Sequence, residues 1–237
     1  MAFGVKVKVW GDYASFNRPE MKVERVTYDV MTPSAARGIL EAIYWKPEMR
    51  WVVDRLYVLN PLRFTHVRRN EVGGRISDRT AAAAMRAGTG ALGVTIEDVR
   101  QQRAAMILCD VCYGIEAHVE VVEHHGPETK PEAKHLDQFR RRATRGACFH
   151  RPYFGTREFP ADFALVDVFP PCCEEWRGEH DLGLILHDIE YAEDPNGAVI
   201  ESNRGRRLTA CPRFFHARVR DGVIDVPTLA PPPEAAP

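Results

Sequence analysis

Tyr113-Gly114-Ile115-Glu116-Ala117-His118-Val119-Glu120-Val121 is the stretch on which the fold of this chain turns. Successive side chains of a strand point to opposite faces, so Ile115, Ala117, Val119 and Val121 form an apolar side that a helix can cover. Gly114, Glu116, His118 and Glu120 line the other side, where Gly114 leaves room for a ligand to come close. Such a strand belongs to a sheet whose one face is buried and whose other face is open.

Elements that can complete such a sheet lie before and after it. Upstream, Val5 to Trp10 alternates as a strand, and Thr32-Pro33 supplies an N-cap and a proline at the first helical position. Ala36, Ile39, Leu40 and Ile43 follow at i, i+3, i+4 and i+7, a helix with one apolar stripe. Pro47 disfavours helical geometry at Lys46, which predicts that Tyr44 and Trp45 sit in the last turn. Val52 to Val67, around Pro61, reads as one or two strands. From Asn70 to Gly93 the glycines and the alanine run Ala81 to Ala84 predict a mobile loop; no Gly-Lys-Ser or Gly-Lys-Thr follows, so they do not match a P-loop.

Downstream, the strand pattern runs from Ala104 to Glu123, and Pro131 to Arg145 reads as a helix closed by Gly146. Phe163 to Phe169 and Leu182 to Ala192 read as strands, and Arg213 to Arg220 forms a hairpin with Val223 to Val226 around Asp221-Gly222. Two strand-helix-strand units with antiparallel additions predict an α+β protein. Its expected parts are a ferredoxin-like, RNA-recognition-motif-like domain over 1–162, an antiparallel β-rich region over 163–227, and a disordered proline-rich tail over 228–237.

Composition narrows the function classes. With 45% hydrophobic and 27% charged residues, no apolar run of spanning length and no apolar leader between Met1 and Trp10, the chain reads as cytoplasmic, with no membrane partner. Of its six cysteines, Cys109 and Cys112 form a C-x-x-C within a strand. An odd separation there points the two side chains apart, so reduced thiols are expected rather than a metal site. The net charge of -1 excludes indiscriminate binding to nucleic acid through a global positive field. Local basic runs remain: Arg63, His66, Arg68 and Arg69; Lys134 with Arg140, Arg141, Arg142 and Arg145; and Arg204 to Arg220. With the phenol, indole and ammonium of Tyr44, Trp45 and Lys46, which can stack on bases and hold phosphates, they point to RNA or DNA.

Six pieces occur in order: Gly11-Asp12-Tyr13-Ala14, Ile43-Tyr44-Trp45-Lys46-Pro47, Arg100-Gln101-Gln102-Arg103, Ile115-Glu116-Ala117-His118, Phe154-Gly155-Thr156-Arg157-Glu158-Phe159 and Asp221-Gly222-Val223-Ile224-Asp225-Val226-Pro227. Together they resemble the CRISPR-associated Cas-five family, in the subtype of type I-C systems, over nearly the whole chain. The resemblance implies an endoribonuclease that cuts precursor CRISPR RNA at the 3′ base of the repeat hairpin with no metal or other cofactor. It further implies that the mature CRISPR RNA stays bound. The protein then serves as a subunit of a surveillance complex, with a backbone and a large subunit, and meets target DNA through that complex. A relative in which a separate nuclease does the cutting is a non-catalytic subunit that binds the 5′ handle.

By the same resemblance the catalytic tyrosine falls on Tyr44 and the histidine on His118. A lysine that stands just before the histidine in some members falls on or beside Glu116. Cleavage of this type needs a base for the 2′-hydroxyl, an acid for the leaving 5′-oxygen and a cation for the charged phosphorane. His118 can do either proton task, and Tyr44 can orient a hydroxyl or donate to a phosphate oxygen. Glu116 cannot supply the cation; either it turns away toward an arginine or the histidine, or Lys46, with Arg68 as second candidate, takes over. Trp45, Arg68, Arg141, Arg145 and Arg157 are the candidate RNA contacts, and Gly155 with its flanking aromatic rings offers close approach and stacking.

Overall fold

The alternation around His118 is realised in a computed structural model, which describes residues 4–21, 23–90, 92–122, 131–199 and 207–228. In chain order the elements are β1 (Gly4–Ala14), β2 (Arg25–Val26), α1 (Pro33–Ile43), β3 (Met49–Val58), β4 (Phe64–Val72), α2 (Asp78–Ala87), α3 (Ile96–Val99), β5 (Arg100–Val121), α4 (Pro131–Thr144), β6 (Asp162–Leu165), a 3-10 turn at Glu174–Trp176, β7 (Glu179–Val199), β8 (Arg207–Arg220) and β9 (Val223–Asp225). The strands form one nine-stranded sheet in the order β6-β1-β5-β3-β9-β8-β7, with β2 and β4 also paired to β5. The fold is α+β and ferredoxin-like. Strands that follow Asp162 extend this same sheet, β6 on β1 and β9 on β3. The proline-rich tail from residue 229, and Arg204 and Arg206 of the last basic run, lie outside the described residues.

Helices α1 and α4 cover the apolar face. Ala36, Ile39, Leu40 and Ile43 of α1 and Leu136, Phe139 and Ala143 of α4 bury against Val5 and Val7 of β1, Ile115, Ala117 and Val119 of β5, and Met49, Trp51 and Val53 of β3. Each large apolar side chain so buried contributes roughly 1.5–3 kcal/mol. The Asp221-Gly222 turn has φ of 47° and 78°, the left-handed pair that joins β8 to β9 tightly.

Four local expectations change. The alanine run is not a loop but α2: the Ser77 side chain accepts from Thr80 N, alanine favours the helix, and Gly88 closes it at φ 62°. Helix α1 ends at Ile43, two residues early, since Tyr44 is extended (φ -157°, ψ 126°) and caps it, leaving Tyr44 and Trp45 beyond the last turn. The room beside Gly114 belongs to the protein itself, because a Cβ there would come within 2.6 Å of the Phe169 ring. The rings flanking Gly155 are likewise internal: Phe154 and Phe159 are buried, and Gly155, at φ 79°, lies against the Ser15 carbonyl.

Candidate active site

The end of α1 leaves carbonyls that the helix cannot satisfy, and other elements take them. Phe149 N donates to Ala42 O at 2.8 Å, Arg142 Nη1 to Ile43 O at 3.2 Å, and Trp51 Nε1 to Tyr44 O at 2.9 Å. Held this way, Tyr44 turns its phenol toward α4, where its hydroxyl lies 3.0 Å from His135 Nδ1. Tyr44 is 6% and His135 2% exposed. The other ring nitrogen, Nε2, lies 3.4 Å from Glu48 Oε1, and Glu48 is 40% exposed, so the group opens to solvent at that end. The Arg142 guanidinium stands over the Tyr44 ring at 5.5 Å. Burial, and then the Glu48 charge, hold the Tyr44 phenol above its ordinary pKa, while Lys134 and Arg142 pull it down.

A second histidine centre occupies the open face. In β3 the register on β5 shifts between Val53 and Arg55, a bulge that leaves Asp54 as an extra residue. Both Asp54 carboxylate oxygens lie 2.9 Å from His118 Nδ1, and Glu120 Oε1 lies 3.8 Å from Nε2. Glu116 accepts from the Tyr57 hydroxyl at 2.8 Å and lies 3.9 Å from Arg55. Opposite Glu116 on β1 stands Lys6, and Arg140 reaches from α4 to the Gly4 carbonyl at 2.9 Å. Together these groups border a cavity of about 730 Å³ lined by Lys6, Asp54, Glu116, His118, Arg140 and Asp167 among others.

The model of the CRISPR-associated Cas5 family, in its Cas5d form, matches residues 4–227. This chain belongs to the Cas5 family. Among its curated relatives, a CRISPR pre-crRNA endoribonuclease Cas5d of Mannheimia succiniciproducens is 48% identical over 232 residues, 96% of each chain. A protein of the same description from Thermus thermophilus is 46% identical over 227 residues, 94% of this chain and 91% of the relative. Two solved structures share the Cas5 fold. A functionally uncharacterized Streptococcus mutans protein superposes with a TM-score of 0.61 at 20% identity, covering 95% of this chain and 92% of that one. A CRISPR-associated protein does so at 0.60 and 22%, with the same coverage.

In this Cas5 chain Tyr44 and His118 do not meet. Trp51 and Val119, which are paired across β3 and β5, face the helices with Tyr44, whereas their neighbours Val52 and His118 face the other way. The histidine beside Tyr44 is His135, and the residue before it is Lys134. Trp45 and Lys46 are exposed just beyond Tyr44, Trp45 by 49%, and the Arg145 side chain is exposed where α4 ends. Phe149, 84% exposed, is anchored by its N–H to the end of α1. Arg141 is exposed on α4 and donates to Gln138. Arg68, on β4 opposite Ala104, and Arg157 are exposed near the Arg69–Glu158 ion pair, away from both histidines. His135 carried a signal that the sequence reading passed over. It starts the buried stripe His135, Leu136, Phe139, Ala143, and Lys134-His135 has the lysine-before-histidine order that was sought at Glu116. Asp54 carried none, because a bulge suspends the alternation that would place it.

Proposed function

We propose that this Cas5 protein is a metal-independent endoribonuclease that cuts precursor CRISPR RNA at the 3′ base of the repeat hairpin. It then holds the 5′ handle as a subunit of the type I-C surveillance complex, beside the backbone and large subunits and with target DNA reached through them. Relatives 46–48% identical over most of the chain are named pre-crRNA endoribonucleases, which supports the activity. The observation that carries the choice of centre is the 3.0 Å contact between the Tyr44 hydroxyl and His135.

A phenol and an imidazole in contact form an acid–base pair, and Lys134 next to it supplies the positive charge that a phosphorane requires. The 2′-oxygen attacks phosphorus as its proton leaves to the pair, the P–O5′ bond breaks, and the 5′-oxygen takes a proton from solvent. Exposed Trp45 and Phe149 offer faces for bases, and Lys46 and Arg145 offer cations for phosphates, around the ends of the same two helices. Arg141, Arg68 and Arg157 extend the RNA path farther from the cut.

A second reading places the chemistry at His118, as the family resemblance first implied. It is favoured by the cavity there and by the paired Asp54, with Lys6 in place of Lys46 as the cation. Labelled repeat hairpin in the presence of a chelator separates the readings. Cutting lost in His135→Ala and Tyr44→Phe but kept in His118→Ala supports the first, and the reverse supports the second. Binding without cutting by the unmodified protein leaves a structural subunit.

A further inference from the structure

Immediately after the proline that follows α1, Glu48 stands at the far end of the Tyr44–His135 contact, and the roles proposed for the pair do not account for it. A carboxylate only accepts hydrogen bonds. With Glu48 Oε1 at 3.4 Å from Nε2 and the phenol at 3.0 Å from Nδ1, the neutral ring is steadied with its proton on Nε2. Nδ1 is then the acceptor, and Tyr44 must donate to it. We infer that Glu48 is a positioning residue: it fixes the tautomer and orientation of His135 so that the Tyr44 oxygen, not the imidazole, takes the proton of the RNA 2′-hydroxyl.

The order carboxylate, imidazole, hydroxyl gives the reaction one direction. As the 2′-oxygen forms its bond to phosphorus, its proton passes to Tyr44 O and the phenolic proton passes to His135 Nδ1. The imidazolium so formed faces the Glu48 carboxylate, whose charge stabilises it in a site where Tyr44 and His135 are shielded from water. The P–O5′ bond breaks, the 5′-oxygen takes a proton from water, and the resulting hydroxide accepts the proton held by His135, which restores the starting state. Glu48 touches no substrate atom. The 3.4 Å separation exceeds a tight hydrogen bond, and the attraction between the two groups strengthens as the ring becomes cationic.

This inference rests on the Tyr44–His135 reading, and the test keeps the two apart. Single-turnover cleavage of repeat hairpin, its affinity measured with a 2′-deoxy substitution at the cut, and ring nitrogen NMR of His135 are recorded for the unmodified protein, Glu48→Ala, Glu48→Gln and His135→Ala. In Glu48→Ala the saturating rate falls by roughly a hundredfold, the lower end of what a positioned acid–base group contributes. RNA affinity stays the same, and the His135 signals move from a single Nε2–H form to a mixture. Glu48→Gln keeps a carbonyl acceptor but no charge, so it retains the tautomer and loses rate. Unchanged rate and spectra in both Glu48 variants, beside an inactive His135→Ala, overturn the role of Glu48 alone. A rate deficit that disappears at saturating RNA overturns it too, since Glu48 would then act in binding. Full cutting by His135→Ala overturns the centre itself and the inference with it.

Discussion

Tyr44–His135–Glu48 and His118–Asp54 are built from the same ingredients, a histidine against a carboxylate, on opposite faces of one sheet. The better geometry belongs to the open face, where both Asp54 oxygens are 2.9 Å from the ring. The better environment belongs to the helix face, where the ring is 2% exposed against 35% for His118. Distance alone does not rank these pairs. Solvent screens an exposed pair to about 0–1 kcal/mol, whereas in a shielded site the same charges act at lower dielectric and their protons are committed to one partner.

The largest effect that can break this comparison is on cleavage. His135→Ala is expected to slow single-turnover cutting by roughly 10²–10⁴-fold, while His118→Ala stays within about a factor of two, as for a surface change of ~0.5 kcal/mol; gel-resolved cleavage rates check both. Next is Trp51→Phe, which keeps a ring against Phe139 but strands the Tyr44 carbonyl. It should cost about 1–3 kcal/mol in urea unfolding. Asp54→Ala, on the open face, should cost about 0.2–1 kcal/mol in the same assay and less in high salt.

The smallest effect is on pH dependence. Tyr44 is held protonated by burial and by Glu48, so its stabilising contribution is complete below about pH 10, where the unfolded phenol keeps its proton too. As the pH rises from there through the raised native value, the unfolded chain sheds a proton that the native one retains, and stability is lost. Unfolding free energies of the protein and Tyr44→Phe should therefore diverge between neutral and strongly alkaline pH, the unmodified protein losing more.

What could be read in advance was local. Thr32, Pro33 and the stripe to Ile43 specify α1 by their own spacing, and Asp221-Gly222 specifies its turn. The alternation from Ile115 to Val121 correctly divides the covered face from the open one. That division placed His118 in view and hid the partner of Tyr44, which comes from a helix 91 positions away and depends on how α4 crosses the end of α1. Asp54 was illegible because one inserted residue in β3 brings two neighbours to the same side. Glu116 could be seen to lack the required charge, but not that Tyr57 holds it.

The stitching at the end of α1 also sets a timetable. Tyr44 leaves the ribosome early, yet its seat is finished only by Trp51, by Arg142 and lastly by the backbone of Phe149. At roughly 5–20 residues per second, about five to twenty seconds of synthesis separate the phenol from its last support. Under the proposed function, the chain carries its reactive hydroxyl unarmed for that interval, next to the messenger RNA that encodes it.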